Sequence, residues 1–385
     1  MEHDKSVKIG IIGGGPAGCI CAYFLKDKFK VTVFDNEKPL KTLLPTGGGR
    51  CNLAHNDFDI KTLASNYPRG EKFLYSVFSK FSTSDTIDLF EKLGVKTYIQ
   101  EDGRIFPQSN SSKDVREKIL SALKCGKFPT EFRMEKVIKL SKNNNFKVKT
   151  DLSEYEFDYV IIAIGGHANY EILKSFNIKI IPPRPALTAL VTEKDFSALS
   201  GVSIKNVFSD DYGYGDILFT HTGISGPLIY KISSVNARKN LPYTINLSFC
   251  DIENFQEVLN KNSQKNIENV ISDYIPKSFA QYILNLINIP YNMKCHKING
   301  KMRDEILLNL NSFEIKVTGS VKDGEVVTSG GIDLCEINSK SMEFKRVKNL
   351  YAIGEVLDID GFCGGYNLQN CWSGAFICAN DIINK

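Results

Sequence analysis

The stretch VKIGIIGGGPAG at residues 7–18 decides the fold. VKIGII is a β-rich apolar run, and the next segment, CICAYFLKDK at residues 19–28, places apolar side chains at helical spacing. Between the two, Gly13, Gly15 and Gly18 fit the pattern G-x-G-x-x-G. Gly13 permits a tight turn, Gly15 lets the backbone approach a pyrophosphate, and Gly18 lets the helix pack closely on the strand. The stretch therefore predicts a nucleotide-binding strand, turn and helix.

A second strand and an acidic residue follow at the expected distance. VTVF at residues 31–34 is a short buried-type run, and it ends at Asp35, 17 residues after Gly18. In a Rossmann-like unit the helix N-terminus faces the phosphates, and an acid at this position accepts hydrogen bonds from a ribose hydroxyl. These features predict a dinucleotide-binding domain but do not separate NAD from FAD.

A second glycine-rich segment, TLLPTGGGRCNLAHN at residues 42–56, favours a flavin. An NAD dehydrogenase would have an ordinary helix after its second strand. In flavoproteins of the two-dinucleotide-binding type, a loop at this position passes the pyrophosphate and reaches the flavin ring. The alternative interpretation is a glycine loop with a surface arginine.

Four further segments complete the pattern. YVIIAIGG at residues 159–166 and LYAIGE at 350–355 are apolar runs that indicate buried strands, and EFRMEKVIKL at 131–140 alternates as a half-buried strand does. Near the end of the sequence, GFCGGYNLQN at residues 361–370 puts three glycines directly before an apolar, helix-spaced run. Such a segment gives a helix N-terminus that a ligand can approach closely.

Four segments in this order resemble the HI0933-like flavoprotein family, also described as BaiN-like or aminoacetone-oxidase-like FAD-binding proteins. They are IIGGGPAG, LLPTGGGRCNLAHN, GDILFTHTGISGP (residues 215–227) and GEVLDIDGFCGGYNLQNCWSG (residues 354–374). The resemblance implies an α/β fold: a discontinuous Rossmann-like FAD-binding domain with an inserted β-rich subdomain and a helical subdomain. The sequence departs from the family by lacking the G-S-T-G-D-G-Y segment after residue 166, and the serine before the lysine in SMEFK at residues 341–345.

The resemblance also implies the residues that bind FAD. Val137 would lie by the adenine, Glu355 would bond a ribityl hydroxyl, and the backbone N–H groups from Tyr366 onward would stabilise negative charge on the reduced flavin. The full set of expected FAD-binding residues is Gly13, Gly15, Pro16, Ala17, Gly18, Asp35, Gly47, Gly49, Arg50, Cys51, Asn52, Val137, Ala163, Gly165, Gly354, Glu355, Gly365, Tyr366, Asn367 and Leu368.

The segment order predicts three parts. The FAD-binding domain comprises residues 1–182 and 322–385, and the proline-rich PPRP at 182–185 marks its first boundary. Short alternating runs such as YTINLSF predict a β-rich insert formed by residues 183–251 and 312–321. Apolar residues at three- and four-residue spacing predict a helical subdomain at residues 252–311.

Because flavin carries the hydride chemistry, few catalytic side chains are needed. Cys51 is a candidate proton donor, with packing in a tight loop as the equal alternative. Arg50 is a candidate to balance the charge of the reduced flavin or to hold an anionic substrate, or else to bond backbone carbonyls. His221, in FTHTGISGP, is a third candidate, because the family match adds to an otherwise structural interpretation. No metal-ligand spacing is present, so no metal is expected.

These features predict an FAD-dependent oxidoreductase that takes hydride from transiently bound NAD(P)H and reduces an unsaturated, enone or uracil-like substrate. The substrate would be a small molecule or a uracil in ribosomal RNA. The alternatives are a flavin oxidase passing electrons from a small amine to O₂, and a non-catalytic, flavin-containing RNA-binding or redox-sensing protein.

The composition and the cysteine spacing predict the cellular compartment of the protein. The 385 residues carry a net charge of +4 and ten cysteines, none of them in a C-x-x-C pair. Together with the lack of a signal-peptide pattern, this predicts reduced thiols in the cytoplasm. No membrane or DNA partner is expected.

Overall fold

The computed structural model describes residues 7–166, 169–321 and 327–385. The chain divides into two compact units, Met1–Arg184 with Val327–Lys385, and Pro185–Val326. Because the first unit is assembled from both ends of the chain, it is discontinuous, as an FAD-binding domain with an insert must be.

The first unit is built on a five-stranded parallel sheet. Its strands are β1 (Lys8–Ile12), β2 (Lys30–Asp35), β6 (Glu131–Met134), β10 (Tyr159–Ile162) and β19 (Leu350–Ala352), arranged in the order β19-β10-β1-β2-β6. The sequence segments VKIGII, VTVF, YVIIAIGG and LYAIGE supply four of these strands, so the Rossmann-like α/β fold class is confirmed.

Smaller sheets and helices surround this parallel sheet. The small-sheet strands are β3 (Ala54–His55), β4 (Thr97–Ile99), β5 (Arg104–Pro107), β7 (Val137–Lys142), β8 (Phe146–Thr150), β9 (Glu154–Phe157), β11 (Ile180–Ala186) and β18 (Val327–Ile332). The α-helices are α1 (Pro16–Leu25), α2 (Ile60–Ser65), α3 (Glu71–Phe78), α4 (Thr83–Lys92), α5 (Ser112–Lys124) and α11 (Tyr366–Ile383). The 3₁₀ turns are Lys41–Leu43, Thr46–Gly49, Tyr170–Phe176, Leu334–Glu336 and Gly354–Val356.

The single strand predicted at residues 131–140 is wrong in one respect. The segment forms two strands in different sheets, because the chain leaves the parallel sheet after β6 and enters the antiparallel β7-β8-β9 sheet. The break falls at Glu135, whose carboxylate accepts hydrogen bonds from the Thr150 and Tyr155 hydroxyls at 2.7 and 2.8 Å. The sequence did not reveal this break, because no glycine or proline interrupts residues 131–140.

The N-terminal and C-terminal helices α1 and α11 pack in the core of the first unit. A Cβ at Gly18 would lie 2.0 Å from the Gly13 carbonyl oxygen, so only glycine lets α1 approach the strand this closely. On α11, Trp372 is fully buried and its indole N–H donates to the Leu53 carbonyl at 2.9 Å. Of the helices in the described ranges, none combines the length and hydropathy that crossing a lipid bilayer requires.

The second unit combines an antiparallel sheet with helices around one hydrophobic core. Its strands, in the order β13-β14-β15-β12-β17-β16, are β12 (Leu190–Thr192), β13 (Ser203–Ser209), β14 (Gly213–Thr220), β15 (Gly223–Ser225), β16 (Tyr243–Leu247) and β17 (Phe313–Ser320). Its helices are α6 (Pro227–Val235), α7 (Phe255–Lys261), α8 (Ile267–Ile271), α9 (Lys277–Leu286) and α10 (Gly300–Asn311), with 3₁₀ turns at Ser197–Leu199 and Cys295–Lys297. The sequence predicts two subdomains here, a β-rich one at residues 183–251 with 312–321 and a helical one at 252–311. In the structure, buried apolar residues from both ranges form one hydrophobic core.

Candidate functional site

The turn between β1 and α1 presents backbone N–H groups at the end of the parallel sheet. Gly13 has φ +110°, where a side chain is strained, and a Cβ there would lie 2.2 Å from the Ala163 carbonyl oxygen. Gly15 caps α1 without a side-chain hydrogen bond, and Pro16 occupies the first turn. The N–H groups at a helix start have no partner within the helix, so they remain available to an anion. Ala17 and Gly18 are buried beneath this turn.

Asp35 lies at the end of β2 beside this turn. Its Oδ2 accepts from the Gly14 N–H at 2.6 Å, and its Oδ1 accepts from the Glu37 N–H at 2.9 Å. A cavity of about 240 Å³ opens here, lined by Gly13, Asp35 and Val137 among others. The structure thus brings together three of the residues predicted to bind FAD: Gly13 of the phosphate-binding turn, Asp35 and Val137.

Several glycines of the β1–α1 turn, the Thr46–Gly49 turn and the end of β10 fit a dinucleotide. A Cβ built at Gly15 has only the Thr42 hydroxyl within 4 Å, at 3.6 Å, and one built at Gly48, Gly49 or Gly165 meets nothing. These glycines border open space, in contrast to Gly18, which is needed for internal packing. A backbone without side chains along an open surface is what close approach of a phosphate chain requires.

The Thr46–Gly49 turn is held in place by Arg50. The Arg50 guanidinium lies 4.0 Å from the centroid of the Phe106 ring, and its Nε donates to the Gly47 carbonyl at 3.3 Å. Of the two interpretations of Arg50, these contacts favour the backbone-bonding one, and its predicted role towards a substrate stays a prediction.

The buried position of Cys51 does not suit a proton donor. Its side chain is fully buried, and its backbone has φ +66°, an uncommon value for a residue with a side chain. Burial raises the pKa of the thiol to about 12, although a hydrogen bond from Thr46 lowers it. The thiol therefore faces the protein interior, which disfavours its predicted catalytic role and favours packing in a tight loop.

The loop that follows Cys51 is joined to the start of α11. In the amide orientation that satisfies both of its ends, Asn52 donates to the Ala54 carbonyl at 3.0 Å and accepts from the Gly365 N–H at 3.1 Å. Gly365 has φ +99°, and a Cβ there would lie 2.6 Å from the Ala54 backbone. The glycines before α11 therefore let two loops pack against each other.

The first turn of α11 is fixed by its own side chains. The Asn367 amide makes two hydrogen bonds to the Gly361 backbone, accepting from its N–H at 2.8 Å and donating to its carbonyl at 2.9 Å. Gly365 caps the helix without a side-chain hydrogen bond. The N–H groups of Tyr366, Asn367 and Leu368 therefore have no partner within the helix, as at any helix start.

A polar network that the sequence did not reveal lies beside this turn. The Tyr366 hydroxyl donates to Asp57 Oδ2 at 2.7 Å, and the same oxygen lies 3.1 Å from Nδ1 of His55. The His55 ring stacks on the Tyr366 ring at 5.1 Å, and the Tyr67 hydroxyl donates to the Tyr366 carbonyl at 2.6 Å. In the sequence, the signal for this network was the acidic residue Asp57 in LAHNDF (residues 53–58). Nothing in the local sequence links Asp57 to Tyr366.

Glu355 lies in the Gly354–Val356 turn, shortly after β19. Its Oε1 accepts from the Thr328 N–H at 2.8 Å, and Gly354 before it has φ +78° and lies against Ala17. Within the described ranges, the buried hydroxyls of Thr328 and Ser329 have no hydrogen-bond partner. Unsatisfied buried hydroxyls beside a carboxylate fit a site that a polar ligand completes.

His221 belongs to the second unit. It is exposed on the turn between β14 and β15, and no hydrogen bond or ion pair of its side chain is found among the described residues. Its predicted catalytic role stays a prediction. In the same ranges, no cluster of three histidine, cysteine or acidic side chains has the form of a metal site.

Comparison with known proteins identifies relatives over nearly the whole chain. A family model described as "HI0933-like protein Rossmann domain" matches residues 7–381. The chain is 28% identical to the ribosomal RNA dihydrouridine synthase of Escherichia coli (strain K12) over 394 aligned positions, covering 97% of each protein. It is 26% identical to the 3-dehydro-bile acid delta(4,6)-reductase of Clostridium scindens, covering 96% of this chain and 97% of the relative.

Among solved structures, 3-ketosteroid delta1-dehydrogenase from Sterolibacterium denitrificans matches with a TM-score of 0.50 and 10% identity, covering 98% of this chain and 99% of that one. At this level of identity the two proteins share the fold alone.

Proposed function

The chain belongs to the HI0933-like family, and we propose that it is an FAD-dependent oxidoreductase that reduces a uracil ring in RNA with hydride from NADH or NADPH. The observation that carries the choice of substrate is the similarity to a ribosomal RNA dihydrouridine synthase over 97% of both chains. The reaction adds a hydride and a proton across one carbon–carbon double bond, so one NAD(P)H and one proton balance it.

The residues of the first unit are suited to hold FAD along the C-terminal ends of the parallel strands. The turn from Gly13 to Gly18 would bind the pyrophosphate, Asp35 the adenosine ribose, and the backbone near Val137 the adenine. The Thr46–Gly49 turn and the start of α11 would border the flavin. When bound, FAD supplies the hydride transfer.

The start of α11 provides an electrostatic contribution of its own. An α-helix carries the equivalent of roughly half a positive charge at its N-terminus. Because Asn367 and Tyr366 hold this turn rigidly, the charge is fixed in place before any ligand arrives. Such a turn stabilises negative charge on a neighbouring ring and so favours the reduced state.

The proton is assigned to solvent water. The Cys51 thiol is buried, and burial together with Asp57 raises the pKa of Tyr366, whose hydroxyl already donates to Asp57. Neither side chain is placed to give up a proton at neutral pH. Solvent water is therefore the donor that we propose.

Reduction of an enone in a small molecule is the second candidate. The similarity to the bile acid reductase of Clostridium scindens favours it, and it needs the same hydride and proton. The two candidates differ in the size of the substrate, so they require different assays.

The test is anaerobic reduction of the purified protein by NADH and by NADPH, followed by incubation of the reduced protein with RNA. Nucleosides from the digested RNA are then analysed by mass spectrometry for uridine that has gained two hydrogens. Reactions without NAD(P)H are the control. The same preparation is offered steroid-like enones in parallel.

Dihydrouridine that appears only with NAD(P)H supports the proposal. Turnover of enones with unaltered RNA would replace it with the second candidate. Rapid reoxidation by air with peroxide formation, and no reduction of either substrate, would indicate an oxidase. Saturable RNA binding without any turnover would indicate a non-catalytic role.

A further inference from the structure

A row of exposed lysines in the second unit is organised by backbone pairing. Residues 263–268 and 291–296 run antiparallel: the Ile267 N–H donates to the Met293 carbonyl at 2.8 Å, and the Cys295 N–H donates to the Lys265 carbonyl at 3.0 Å. The His296 N–H continues the pairing to Ser263 at 3.1 Å. We call these paired segments and their flanks the basic ladder; its lysines are Lys261, Lys265, Lys294, Lys297 and Lys301.

The lysines of the basic ladder face solvent, and apolar residues next to them are buried. Along one segment Lys294 and His296 are exposed while Cys295 between them is buried. On the other segment Lys265 is exposed and Ile267 is buried. The cationic side chains are thus exposed to solvent, while the buried Cys295 and Ile267 anchor the two paired segments in the core of the second unit.

Acidic residues are few in this part of the chain. Residues 258–267 and 274–303 contain no aspartate or glutamate. Glu268, within the ladder, is buried, and its carboxylate lies 3.6 Å from Lys277 Nζ and accepts from the Gln281 amide at 2.7 Å. Of the acids flanking the ladder, Asp304 is paired with Arg303 at 2.8 Å, and Glu257 lies on α7.

The ladder lysines themselves are unpaired. Among the residues that the structure describes, none of the five has a carboxylate within the 4.0 Å of an ion pair. Lysines on the first unit's hairpin behave differently: Lys147 pairs with Glu156 at 3.6 Å, and Lys149 pairs with Glu154 at 3.5 Å. The ladder therefore carries a concentrated positive charge although the whole chain has a net charge of only +4.

Two further features match a nucleic acid. The helix α10 starts beside the ladder, capped by Asn299, whose side chain accepts from the Met302 N–H at 3.0 Å, and its dipole adds to the positive potential. Tyr291, at the end of the paired segment, is 45% exposed and offers a ring on which a base can stack. Anionic phosphates together with aromatic bases are the chemistry that this surface complements.

We propose that the basic ladder binds the phosphate backbone of the substrate RNA. The inference rests on the proposed function, because it takes RNA as the substrate, and it deepens that function by assigning the RNA contact to the second unit. Phosphate contacts of this kind position a nucleic acid without reading its sequence, so the ladder would supply affinity rather than choice of the uracil.

The test compares two variants that lose the same charge. The ladder variant is Lys265→Gln, Lys294→Gln and Lys297→Gln, and the matched control is Lys139→Gln, Lys147→Gln and Lys149→Gln on the exposed β7-β8 hairpin of the first unit. The probe is a uridine-containing single-stranded RNA oligonucleotide, titrated at several salt concentrations. Vesicles containing phosphatidylserine are titrated in parallel.

The ladder variant should bind the RNA about tenfold more weakly at moderate salt, and its slope of log affinity against log salt should be shallower by about 2, since each lost phosphate contact removes roughly 0.7. The control variant should keep the wild-type slope. An unchanged slope in the ladder variant, or an equal loss in the control, would overturn the inference. Loss of vesicle binding with RNA binding intact would overturn it in favour of a membrane surface.

Flavin reduction by NAD(P)H separates this inference from the proposed function. It should be unchanged in both variants, because none of the substituted lysines lies among the expected FAD-binding residues. If wild-type protein forms dihydrouridine and the ladder variant binds RNA normally, the surface is assigned wrongly and the function stands. If wild-type protein forms none while the ladder variant loses RNA binding, the function is wrong and the surface stands.

Discussion

The Tyr366 hydroxyl donates a hydrogen bond of 2.7 Å to Asp57, although the two residues are 309 positions apart in the sequence. This bond ties the first turn of α11 to the loop that follows the Thr46–Gly49 turn. Burial and the neighbouring carboxylate raise the pKa of Tyr366, so its phenol remains a neutral donor throughout the physiological range. The bond thereby fixes the loop around Asp57 to the start of α11, at the place where the flavin is expected.

Removing either partner of this bond should destabilise the first unit. Tyr366→Phe removes the shorter of two hydrogen bonds to the Asp57 carboxylate, the other coming from the Asn66 amide at 3.2 Å, and we expect a loss of about 1–3 kcal/mol in the free energy of unfolding. In a double-mutant cycle with Asp57→Ala, residues in direct contact should couple by about 0.5–3 kcal/mol. Urea denaturation measures all four proteins. Tyr75→Phe, at a tyrosine that is 54% exposed, is the control and should change little; a coupling energy of zero would contradict the prediction.

Asp35→Ala should weaken FAD binding. The substitution removes the acceptor of the Gly14 and Glu37 N–H groups and the expected acceptor of the ribose hydroxyl, at a cost of about 1–3 kcal/mol. FAD affinity, measured by fluorescence titration of the apoprotein, should fall by roughly one to two decades, since each ~1.4 kcal/mol is tenfold. Glu37→Ala changes a neighbouring exposed carboxylate that pairs with Lys41 and should leave affinity intact. Equal affinities in the two variants would remove Asp35 from the site.

Cys51→Ala should reduce stability and leave the chemistry intact. Because the thiol is fully buried, its loss should cost about 1 kcal/mol in the free energy of unfolding. Stopped-flow measurement of the oxidative half-reaction should give the wild-type rate in protein that is saturated with FAD. Cys125→Ala, at an exposed cysteine, is the control for stability. A fall of about 10²-fold or more in the oxidative rate would restore Cys51 as a general acid.

The ion pair between Arg69 and Asp360 should be essential to the first unit. Asp360 is fully buried and binds the Arg69 guanidinium through both of its oxygens. Asp360→Ala removes this carboxylate from a mostly buried cation, and we expect a loss of about 3–5 kcal/mol in the free energy of unfolding. The double variant Arg69→Met, Asp360→Leu should be less destabilised than Asp360→Ala alone.

The exposed pair Lys174–Glu171 provides the comparison for this prediction. Both side chains are more than 70% exposed, and Glu171→Ala should cost about 0–1 kcal/mol. If Asp360→Ala and Glu171→Ala were equally mild in chemical denaturation, the buried pair would not have the stabilising role assigned to it.

Most of the parallel sheet was predictable because its strands lie in short, largely apolar runs, several of which lead directly into glycines. VKIGII, VTVF and YVIIAIGG each carry their own signal, and Asp35 occupies the position that the motif requires. The break at Glu135 was not predictable, since it depends on hydroxyls of Thr150 and Tyr155 that fold back onto the carboxylate.

The candidate site was predictable in its glycines and not in its polar contacts. Gly13 and Gly365 are recognisable because they precede helices in glycine-rich runs. Whether a side chain such as Cys51 points inward or outward depends on a backbone φ of +66°, which no local pattern determines. The network of His55, Asp57 and Tyr366 joins residues from opposite ends of the chain, so only the folded structure brings it into view.

The strand β19 lies at the edge of the parallel sheet, beside β10, and this position affects folding during synthesis on the ribosome. The first unit cannot complete its sheet until Leu350–Ala352 has been made, and it cannot place its last helix until residues 366–383 follow. At a typical rate of roughly 5–20 residues per second, the ribosome needs many seconds to add the residues between β10 and β19. During this time β1, β2 and β10 are present without β19. For this interval the nascent chain exposes the unpaired apolar edge of β10, which is open to pairing with other strands until β19 covers it.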